Sequence, residues 1–422
     1  MKQIENKRPH VVILGAGMGG VKAAQFFAGK KVDVTVVDQN NYQFFAPLLY
    51  QLSTGVLEES EIALPARQFF HSQHNVDFHL GRVTGFNTEN KQVITDTGIL
   101  DYDYLIVALG STTRYFGMKD IEENALPMKT LSESAAIRDH ILRCIELAAH
   151  EKDEKKRQSL LTFIIVGGGP TGVEEAGAIA ELLHDTLPPD YPNLDLKKAD
   201  VKLIEMTNSL LMMMPLPLRE ATAESLRKKE VDVRLGSAVA HYDGCIVSFK
   251  SGEKIAAKTL IWASGVQAVD VCSELGAQQA GDGRIIVNTD LSVPGLPEVY
   301  VIGDCAHMVE KPGAHPLPTI APYAMQEGAC AADNIMCQIA GKPQQNFVSK
   351  DLGSMAMIGR FSGVMAKGSF TMSGFFAWAA WLAVHLIRLA GWTTNFIVLY
   401  KWTLNTLFGT RPACLTTERA EQ

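Results

Sequence analysis

The sequence predicts an α/β fold made of two similar strand–helix–strand domains, one inserted in the other, with amphipathic helices at the C-terminal end. Three observations support this prediction. A glycine-rich turn follows a short apolar strand at two separate places, residues 15–20 and 167–172. A late strand, residues 299–302, returns the chain to the first domain. Two apolar aromatic stretches then follow, at residues 375–392 and 395–408.

The length of 422 residues exceeds what one hydrophobic core usually organises, so two or three domains are expected. Apolar residues make up 47% of the chain and charged residues 20%, which is typical of a globular enzyme. The predicted first domain is split into residues 1–125 and 269–345. The inserted domain spans residues 126–268, and a C-terminal segment spans residues 346–422.

The net charge of −7 is unevenly distributed along the chain. Residues 352–417 contain no Asp or Glu, so this segment carries +5 and the rest of the chain carries −12. Its basic residues are scattered among Phe, Trp and Leu, unlike the dense basic clusters of nucleic-acid-binding proteins, and this pattern favours a membrane surface as partner. They are Arg360, Lys367, Arg388, Lys401 and Arg411.

The seven cysteines are widely spaced and form no C-x-x-C pair and no cluster with histidine. This pattern predicts no metal site and indicates a reducing compartment, with most thiols buried as small apolar groups. The apolar run at residues 11–14 flows directly into glycines, so it predicts a buried strand rather than a signal peptide.

The first glycine-rich motif, Gly15-Ala-Gly17-Met-Gly-Gly20, stands between a short apolar strand and a helical stretch. In a Rossmann-like dinucleotide-binding domain, the first glycine permits a tight turn and the second lets the backbone approach a pyrophosphate. The third lets helix and strand pack closely. Asp38 ends the next strand, where a carboxylate accepts hydrogen bonds from ribose hydroxyls. Because strand, helix and acid all have the required spacing, a bound dinucleotide is favoured over a purely structural turn.

The second motif, Gly167-Gly-Gly169-Pro-Thr-Gly172, again follows an apolar strand, and Glu205 closes the next strand. Two such motifs predict two dinucleotides. A carboxylate at Glu205 pairs with a 2′-hydroxyl and repels a 2′-phosphate, so NADH is favoured over NADPH. The alternative is that Glu205 is a surface or helix-capping acid.

An apolar strand runs into Gly303-Asp304, and another ends at Gly110. Here the chain resembles the two-dinucleotide-binding-domain flavoproteins, which use such a Gly-Asp pair to hold the ribityl and pyrophosphate of FAD. The resemblance implies FAD at the first motif and NADH at the second, with hydride transfer between stacked rings. It also implies cofactor contacts at Val83, Ala108, Gly110 and Gly265.

Residues 321–328 fit the A-x-x-A-x-Q-x-G motif of the type II, non-pumping NADH:quinone oxidoreductases, a family that the chain resembles over nearly its whole length. In that family the segment begins a helix pointing at the flavin. The resemblance implies that Ala321, Ala324 and Gln326 line a quinone site, where ubiquinone or menaquinone is reduced to quinol by two electrons. Residues 41–55 resemble the flavin-flanking loop of this family, which implies FAD contacts at Pro47 and Thr54.

Glu174 follows the second motif in the first helical turn and matches the family's acid beside nicotinamide and flavin. Quinone reduction consumes protons. A carboxyl near the flavin is expected either to relay protons or to fix the nicotinamide amide, and partial burial raises its pKa toward a useful range. The alternative is an acid that only stabilises the helix dipole. The neighbouring Glu175 is left without a role.

Four of the five tryptophans fall in the two C-terminal aromatic stretches. Trp prefers the membrane–water interface, and Arg388 and Lys401 are placed to reach anionic headgroups. A spanning helix needs roughly 20 apolar residues, whereas His385 and Arg388 interrupt the first stretch. Both stretches are therefore predicted to lie flat on the cytoplasmic face of the cell membrane, and the enzyme to be peripheral and unable to pump protons. A homodimer interface is the alternative use of this surface.

Three other functions stay open. A soluble reductase passing electrons from NAD(P)H through FAD to an iron–sulfur protein has no need of the basic, Trp-rich tail. A sulfide:quinone oxidoreductase needs a nucleophilic thiol pair, for which Cys330 and Cys337 are the nearest candidates. A non-catalytic NADH-sensing flavoprotein would keep both glycine motifs. Disulfide reduction is disfavoured because residues 42–55 contain no cysteine.

Overall fold

The computed structural model describes residues 8–411 and 413–415. These residues form two compact units that alternate along the chain. Residues 8–44, 64–112 and 266–350 form the first unit, and residues 45–63, 113–265 and 351 onward form the second. The extreme ends of the predicted first domain and C-terminal segment, residues 1–7 and 416–422, lie outside the described residues, as does residue 412.

The first unit is built on a main sheet whose central strand, His10–Leu14, is almost entirely buried. Its short run of Val, Ile and Leu suits a parallel strand covered on both faces. The sheet is parallel except for its first edge strand. In spatial order its strands are Ser292–Val293, Leu296–Val301, Tyr104–Val107, His10–Leu14, Asp33–Asp38 and Val76–Leu80.

Two helices of the first unit matter for the site. The first-motif helix, Met18–Phe26, packs on a long helix, Ala321–Ile339. Their backbones touch, because a Cβ placed on Gly328 would overlap the carbonyl oxygen of Gly19. The unit also contains an antiparallel sheet of Val83–Asn87, Gln92–Thr95 and Gly98–Asp101, a parallel pair of Ile285–Ile286 and Ala306–His307, and 3₁₀ turns at Ala66–Phe69, Asp270–Leu275 and Gly303–Cys305.

The second unit repeats the design around the buried strand Thr162–Val166. Its main sheet is parallel throughout. In spatial order the strands are Leu126–Pro127, Thr259–Trp262, Thr162–Val166, Asp200–Ile204 and Val231–Arg234. The second-motif helix, Pro170–Glu181, continues into a π-helical turn at Leu182–Thr186.

Two antiparallel sheets accompany the second unit's main sheet, one formed by Val239–Tyr242, Ile246–Phe249 and Lys254–Ala256, the other by Ser354–Gly359, Ser362–Lys367 and Phe370–Gly374. Strand Ser354–Gly359 packs on the second-motif helix, and a Cβ on Gly177 would overlap the carbonyl oxygen of Ile358. The remaining α-helices are Leu49–Ser53, Glu59–Ile62, Lys119–Asn124, Leu131–His150, Glu154–Leu160, Leu216–Lys228, Phe375–Arg388 and Trp392–Phe408, with 3₁₀ turns at Ala46–Leu48 and Leu196–Lys198. Short strands Tyr42–Phe44, Ala63–Pro65, Ser111–Thr113 and Val266–Ala268 lie where the chain passes from one unit to the other.

The structure differs from the sequence predictions in three places. Residues 45–63 lie within the range predicted for the first domain, but they contain two short helices and belong to the second unit. The C-terminal residues from 351 also belong to the second unit, and they begin with an antiparallel sheet that the sequence did not predict. The second C-terminal helix begins at Trp392 rather than at residue 395. Its N-cap is Gly391, which has a φ of 92° and is therefore not helical.

Candidate active site

The first glycine-rich turn has the geometry of a phosphate cradle. Gly15 has φ of 102°, and a Cβ there would overlap the carbonyl oxygen of Ala108. A Cβ on Gly20 would overlap the carbonyl oxygen of Gly15. The close packing of the turn against the start of the helix therefore requires glycine at both positions. A Cβ on Gly17, at the N-cap of the helix, would meet open space instead. The space and the free helix N-terminus fit a pyrophosphate.

Asp38 ties the second strand of the first unit to this turn. One carboxylate oxygen accepts a hydrogen bond from the Ala16 N–H at 2.7 Å, and the other accepts from Asn40 N–H at 2.8 Å. Burial raises the pKa of Asp38, and these two N–H groups oppose the rise. Each oxygen keeps a further lone pair, so the carboxylate is held in place and still able to accept from ribose hydroxyls.

Gly303 and Asp304 lie at the end of a sheet strand, in a 3₁₀ turn. The Ser111 hydroxyl donates to Asp304 at 2.6 Å, and the Gly303 N–H donates to the Glu327 carboxylate at 2.5 Å. Burial raises the pKa of Glu327 to about 7, opposed by the Gly303 N–H. Glu327 was not among the residues predicted from the sequence, although it stands in the A-x-x-A-x-Q-x-G motif directly after Gln326.

A pocket of about 210 Å³ opens beside Asp304. Its wall includes Arg284, whose guanidinium is held by Asp282 at 2.7 Å and donates to the carbonyl of Leu317 at 3.1 Å. Gly110, with φ of 77°, also faces open space where a Cβ would stand. The first unit thus brings the predicted residues Gly15, Gly17, Gly20, Asp38, Ala108, Gly110 and Asp304 onto the strand ends of one sheet, whereas Val83 is a buried core residue of the neighbouring antiparallel sheet.

The quinone motif forms the start of the long helix Ala321–Ile339. Ala324 lies close to the turn at Gly303, where a Cβ on the glycine would be 3.2 Å from the Cβ of Ala324. The Gln326 amide binds the backbone of Lys350 in both directions, donating to its carbonyl at 3.2 Å and accepting from its N–H at 2.8 Å. Gln326 therefore fixes the segment that reaches residue 350, a structural role that its motif did not predict.

The second glycine-rich turn repeats the first. Gly167 has φ of 122°, and a Cβ there would be 2.6 Å from the carbonyl oxygen of Ala263. A Cβ on Gly172 would overlap the carbonyl oxygen of Gly167, and a Cβ on Gly169 would meet open space. Gly265, with φ of 78°, leaves no room for a Cβ, which would be 2.7 Å from the Phe116 ring. The cradle again fits a pyrophosphate at a helix N-terminus.

Glu205 takes the place of Asp38 in the second turn. One carboxylate oxygen accepts from the Gly168 N–H at 2.6 Å, and the other from the Thr207 N–H at 2.7 Å. A Cβ on Gly168 would be 2.8 Å from Cγ of Glu205. The acid is therefore part of the cradle.

The second-motif helix carries two adjacent buried carboxyls. Glu174 accepts a hydrogen bond from the Met357 N–H at 3.0 Å, and burial raises its pKa to about 8, opposed by that N–H and by the Trp381 indole. Glu175 is fully buried and accepts from the Ser53 hydroxyl at 2.7 Å. Burial raises the pKa of Glu175 to about 8 as well, opposed by Ser53 and by the charge of Arg411. Both groups are protonated at neutral pH.

Pro47 and Thr54, predicted to contact FAD, belong to the second unit. Pro47 lies in the turn Ala46–Leu48. Thr54 is buried, and its hydroxyl donates to the carbonyl of Tyr50 at 2.7 Å, which closes the end of the helix Leu49–Ser53.

The C-terminal helices expose many large apolar side chains, among them Trp392 at 74% and Phe396 at 66%. No helix within the described residues is both long and apolar enough to cross a membrane. The expectation that Lys401 is free for headgroups is wrong, because its ammonium pairs with Glu61 at 2.5 Å and Glu58 at 3.2 Å.

Two more of the five basic residues in this segment are also used inside the protein. Arg360 pairs with Asp185 at 2.8 Å, and Arg411 is buried near Glu181 at 3.8 Å. Lys367 and Arg388 are exposed. The charge count of the segment therefore overstates the positive charge on its surface.

Cys330, one of the two cysteines considered for sulfide chemistry, is poorly suited to it. Burial raises the pKa of Cys330 to about 11, with nearby carboxylates adding to the rise. A thiol in that state is not a nucleophile at neutral pH.

Residues 9–328 match the family model described as "Pyridine nucleotide-disulphide oxidoreductase". This match covers about three quarters of the chain and agrees with the two cradles and two parallel sheets. The fold and the site thus define this class of two-domain oxidoreductases, and the α/β fold class predicted from the sequence is confirmed.

The similar proteins narrow the class. The chain is 36% identical to the type II NADH:quinone oxidoreductase Ndh of Mycobacterium tuberculosis, over 97% of the chain and 90% of that protein. It is 34% identical to NdhA of the same organism, over 94% of the chain and 86% of that protein. The solved structure of NDH2 from Plasmodium falciparum in complex with NADH superposes with a TM-score of 0.88 at 22% identity, over 96% of this chain and 99% of that one, which shows the shared fold.

The chain belongs to the type II NADH:quinone oxidoreductases. The family that the sequence motifs predicted is confirmed, and with it the enzymatic activity, NADH oxidation with quinone reduction.

Proposed function

We propose that this chain oxidises NADH through a bound FAD and delivers both electrons to a quinone held in a membrane, without moving protons across it. The observation that carries the proposal is the pair of matching cradles, each with its own strand-end acid bound to the glycine turn. Two cradles of this kind in one chain fit two dinucleotides. Similarity to the type II enzymes over nearly the whole chain supports quinone as the acceptor.

In this proposal the first unit holds FAD and the second holds NADH. Gly17 and Gly110 leave open space for the phosphates and Asp304 lines the pocket beside them, so the residues fit FAD. When bound, FAD accepts the hydride of NADH and supplies the electrons for the quinone. Glu205 orients the adenosine ribose of NADH, and its charge disfavours the 2′-phosphate of NADPH.

Glu174 is the residue that handles protons. Its buried carboxyl is protonated below about pH 8, and the Met357 N–H fixes one of its oxygens at 3.0 Å. A carboxyl with a pKa near the working pH donates and regains a proton readily. Burial among Trp381 and the second-motif helix also keeps bulk water away from it.

We assign the quinone site to Ala321, Ala324 and Gln326. Ala324 lies beside Gly303, and the small side chains of the two alanines leave room for a flat ring. Gln326 acts there by holding the backbone at Lys350.

The exposed face of the two C-terminal helices is proposed to lie on the cytoplasmic surface of the cell membrane. Its aromatic and aliphatic side chains include Phe376, Ile387, Trp392, Phe396 and Tyr400, all largely exposed. Exposed apolar side chains grouped in this way are typical of a membrane or protein interaction surface. A homodimer built on the same face is the competing use.

The activity is tested on the purified protein in mild detergent. We expect a flavin absorption spectrum, FAD on chromatography of the released flavin, and anaerobic NADH oxidation that depends on added short-chain quinone. Glu174→Gln should lower quinone reduction roughly a hundredfold, because it removes a general acid. NADH should still bleach the flavin in this variant. Oxidation of NADH that proceeds only with oxygen would overturn the proposal.

Membrane attachment is tested by substitutions rather than truncation, since Trp381, Trp402 and Arg411 are buried and their removal would damage the second unit. The double variant Trp392→Glu/Phe396→Glu should bind anionic lipid vesicles at least about tenfold more weakly, because charge on the inserted face opposes burial. Val348→Glu, equally exposed but outside the helices, is the matched control. Unchanged vesicle binding together with a loss of dimer in light scattering would assign the face to self-association.

A further inference from the structure

Phe116 is an exposed aromatic residue of the second unit with an unusual backbone conformation. It is 55% exposed, and its φ of 53° lies in the left-handed region. A bulky residue adopts that region only at a cost in free energy. The next residue, Gly117, is also left-handed, with φ of 79°. Glycine or asparagine at position 116 would make the same turn with less strain, so the turn alone does not explain a phenylalanine.

The segment that carries Phe116 is fixed to the end of a strand of the second unit's main sheet. The Arg114 N–H donates to the carbonyl of Gly265 at 3.2 Å, and the Arg114 carbonyl accepts from the Trp262 indole at 3.0 Å. Tyr115 stacks on the same indole, with ring centroids 6.2 Å apart. These contacts hold the strained turn in place, as is common where strain serves a function.

The ring of Phe116 is held at its edge and on one face. Its edge packs against Gly265, since a Cβ on that glycine would be 2.7 Å from Cζ of the ring. The guanidinium of Arg114 lies over the ring at 5.0 Å from its centroid, within the distance of a cation–π contact. More than half of Phe116 nevertheless stays exposed. A ring fixed in this way can be buried by a ligand with little further loss of conformational entropy.

The ring lies on the side of the second cradle opposite Glu205. Strands Thr259–Trp262 and Asp200–Ile204 flank strand Thr162–Val166, which leads into the cradle, and all three are parallel. A dinucleotide crosses the carboxyl ends of such strands at the glycine turn. With the adenosine ribose at Glu205, the nicotinamide half of NADH therefore extends over the end of Thr259–Trp262.

The chain that follows this strand lies directly against the cradle. The Ala263 N–H donates to the carbonyl of Val166 at 2.9 Å, and a Cβ on Gly167 would be 2.6 Å from the carbonyl oxygen of Ala263. Gly265, on which the Phe116 ring packs, comes two residues later. Phe116 is therefore placed beside the path of the nicotinamide half.

We propose that Phe116 is a positioning residue for NADH, and that its ring packs on the nicotinamide riboside where this part of the molecule leaves the cradle. The proposal rests on the assignment of NADH to the second unit and deepens it. The contact is apolar and does not involve the adenosine half. The left-handed backbone keeps the ring turned outward, so NADH rather than the protein covers it.

The test removes the ring and keeps the turn. Phe116→Asn introduces a residue that tolerates the left-handed region, Phe116→Gly is a second variant of this kind, and Phe116→Tyr retains an aromatic ring. Phe361→Asn is the matched control, because Phe361 is 51% exposed with φ of 61° in the same unit and packs on Phe375 and Trp378. The dissociation constant of NADH is measured from flavin reduction under anaerobic stopped flow. The inhibition constant of ADP, which lacks the nicotinamide riboside, is measured against NADH.

We expect Phe116→Asn and Phe116→Gly to raise the dissociation constant of NADH about tenfold, because one aromatic contact is lost. Their ADP inhibition constants should not change, and their Tm should not fall, since the substitutions relieve strain. Phe116→Tyr and Phe361→Asn should match the unaltered enzyme in both constants.

Two results would overturn the role of Phe116. One is an unchanged dissociation constant of NADH in both ring-removing variants. The other is an equal weakening of NADH and ADP, which would mean that the ring supports the whole cradle rather than the nicotinamide half. If NADH fails to bleach the flavin of the unaltered enzyme, or ADP fails to compete with it, the assignment of NADH to the second unit fails instead.

Discussion

The two glycine-rich turns of this chain are built alike, and one of their differences involves a matched pair of residues. In both turns the third glycine would overlap the first if it carried a Cβ, and in both the strand-end acid accepts from the N–H between the first two glycines. The shorter acid, Asp38, faces Ala16, and the longer acid, Glu205, faces Gly168. The extra methylene of the glutamate occupies the space that the alanine Cβ fills in the first turn. The longer acid is therefore paired with a glycine at the position after the first glycine, and the shorter acid with an alanine there.

The helices that follow the turns differ more deeply. Counting from the third glycine, the first-motif helix has Lys22 and Ala23 where the second has Glu174 and Glu175. Lys22 is exposed and Ala23 is fully buried, whereas both glutamates are buried carboxyls with raised pKa values. Under the proposed function, the same scaffold serves binding alone in one unit, and binding with acid–base chemistry in the other.

The largest expected effect, on the binding of NADH or of flavin, comes from a glycine-to-alanine substitution in one glycine-rich turn at a time. Gly172→Ala should raise the KM for NADH on the order of a hundredfold, because the new Cβ overlaps a backbone oxygen that cannot move aside. The flavin spectrum should remain. Gly20→Ala should do the reverse, giving colourless protein that still binds NADH in equilibrium dialysis. If both variants lose flavin equally, the assignment of one cofactor to each turn is wrong.

A smaller effect tests the matched pair. Gly168→Ala should raise the KM for NADH roughly tenfold, because its Cβ would be 2.8 Å from Glu205. Adding Glu205→Asp should restore most of the affinity, since the shorter acid frees that space. Steady-state kinetics of the two single variants and the double variant give the coupling between the positions. Additive losses would show that the two residues are not matched.

The smallest expected effect is on the pH dependence of stability. It tests the buried carboxyl Glu175, which the second-motif helix has and the first-motif helix lacks. The folded-state pKa of Glu175 is raised to about 8, so the folded protein keeps a proton that the unfolded chain releases above its ordinary pKa. Stability from this group is fully present at acid pH and is lost as the pH rises through about 8. Glu175→Gln should therefore flatten the fall of Tm between roughly pH 5 and 8, with exposed Glu224→Gln as control. An unchanged slope would contradict the buried state of Glu175.

The turns, their acids and the strand-end Gly303 and Asp304 could be predicted because each directly follows a short apolar strand in a recognisable residue pattern. The antiparallel sheet from Ser354 to Gly374 could not, since its contact with Gly177 joins residues far apart in sequence.

Charges were the least predictable feature. Lys401 and Arg411 counted as surface cations in the sequence, yet their partners Glu61 and Glu181 lie hundreds of residues earlier. Gln326 was assigned from its motif alone, and the backbone it binds at Lys350 follows only from the folded loop. Long-range pairing of this kind leaves no periodic trace in a sequence.

The close approach of Gly19 and Gly328 has a mechanical consequence. Where two helices meet through side chains, rotamer changes let one slide over the other, but here main chain rests on main chain. The position of the long helix along the first-motif helix is therefore fixed by this backbone contact. Heating or the binding of a bulky acceptor would deform the loops around the long helix before it moved that helix along the first-motif helix.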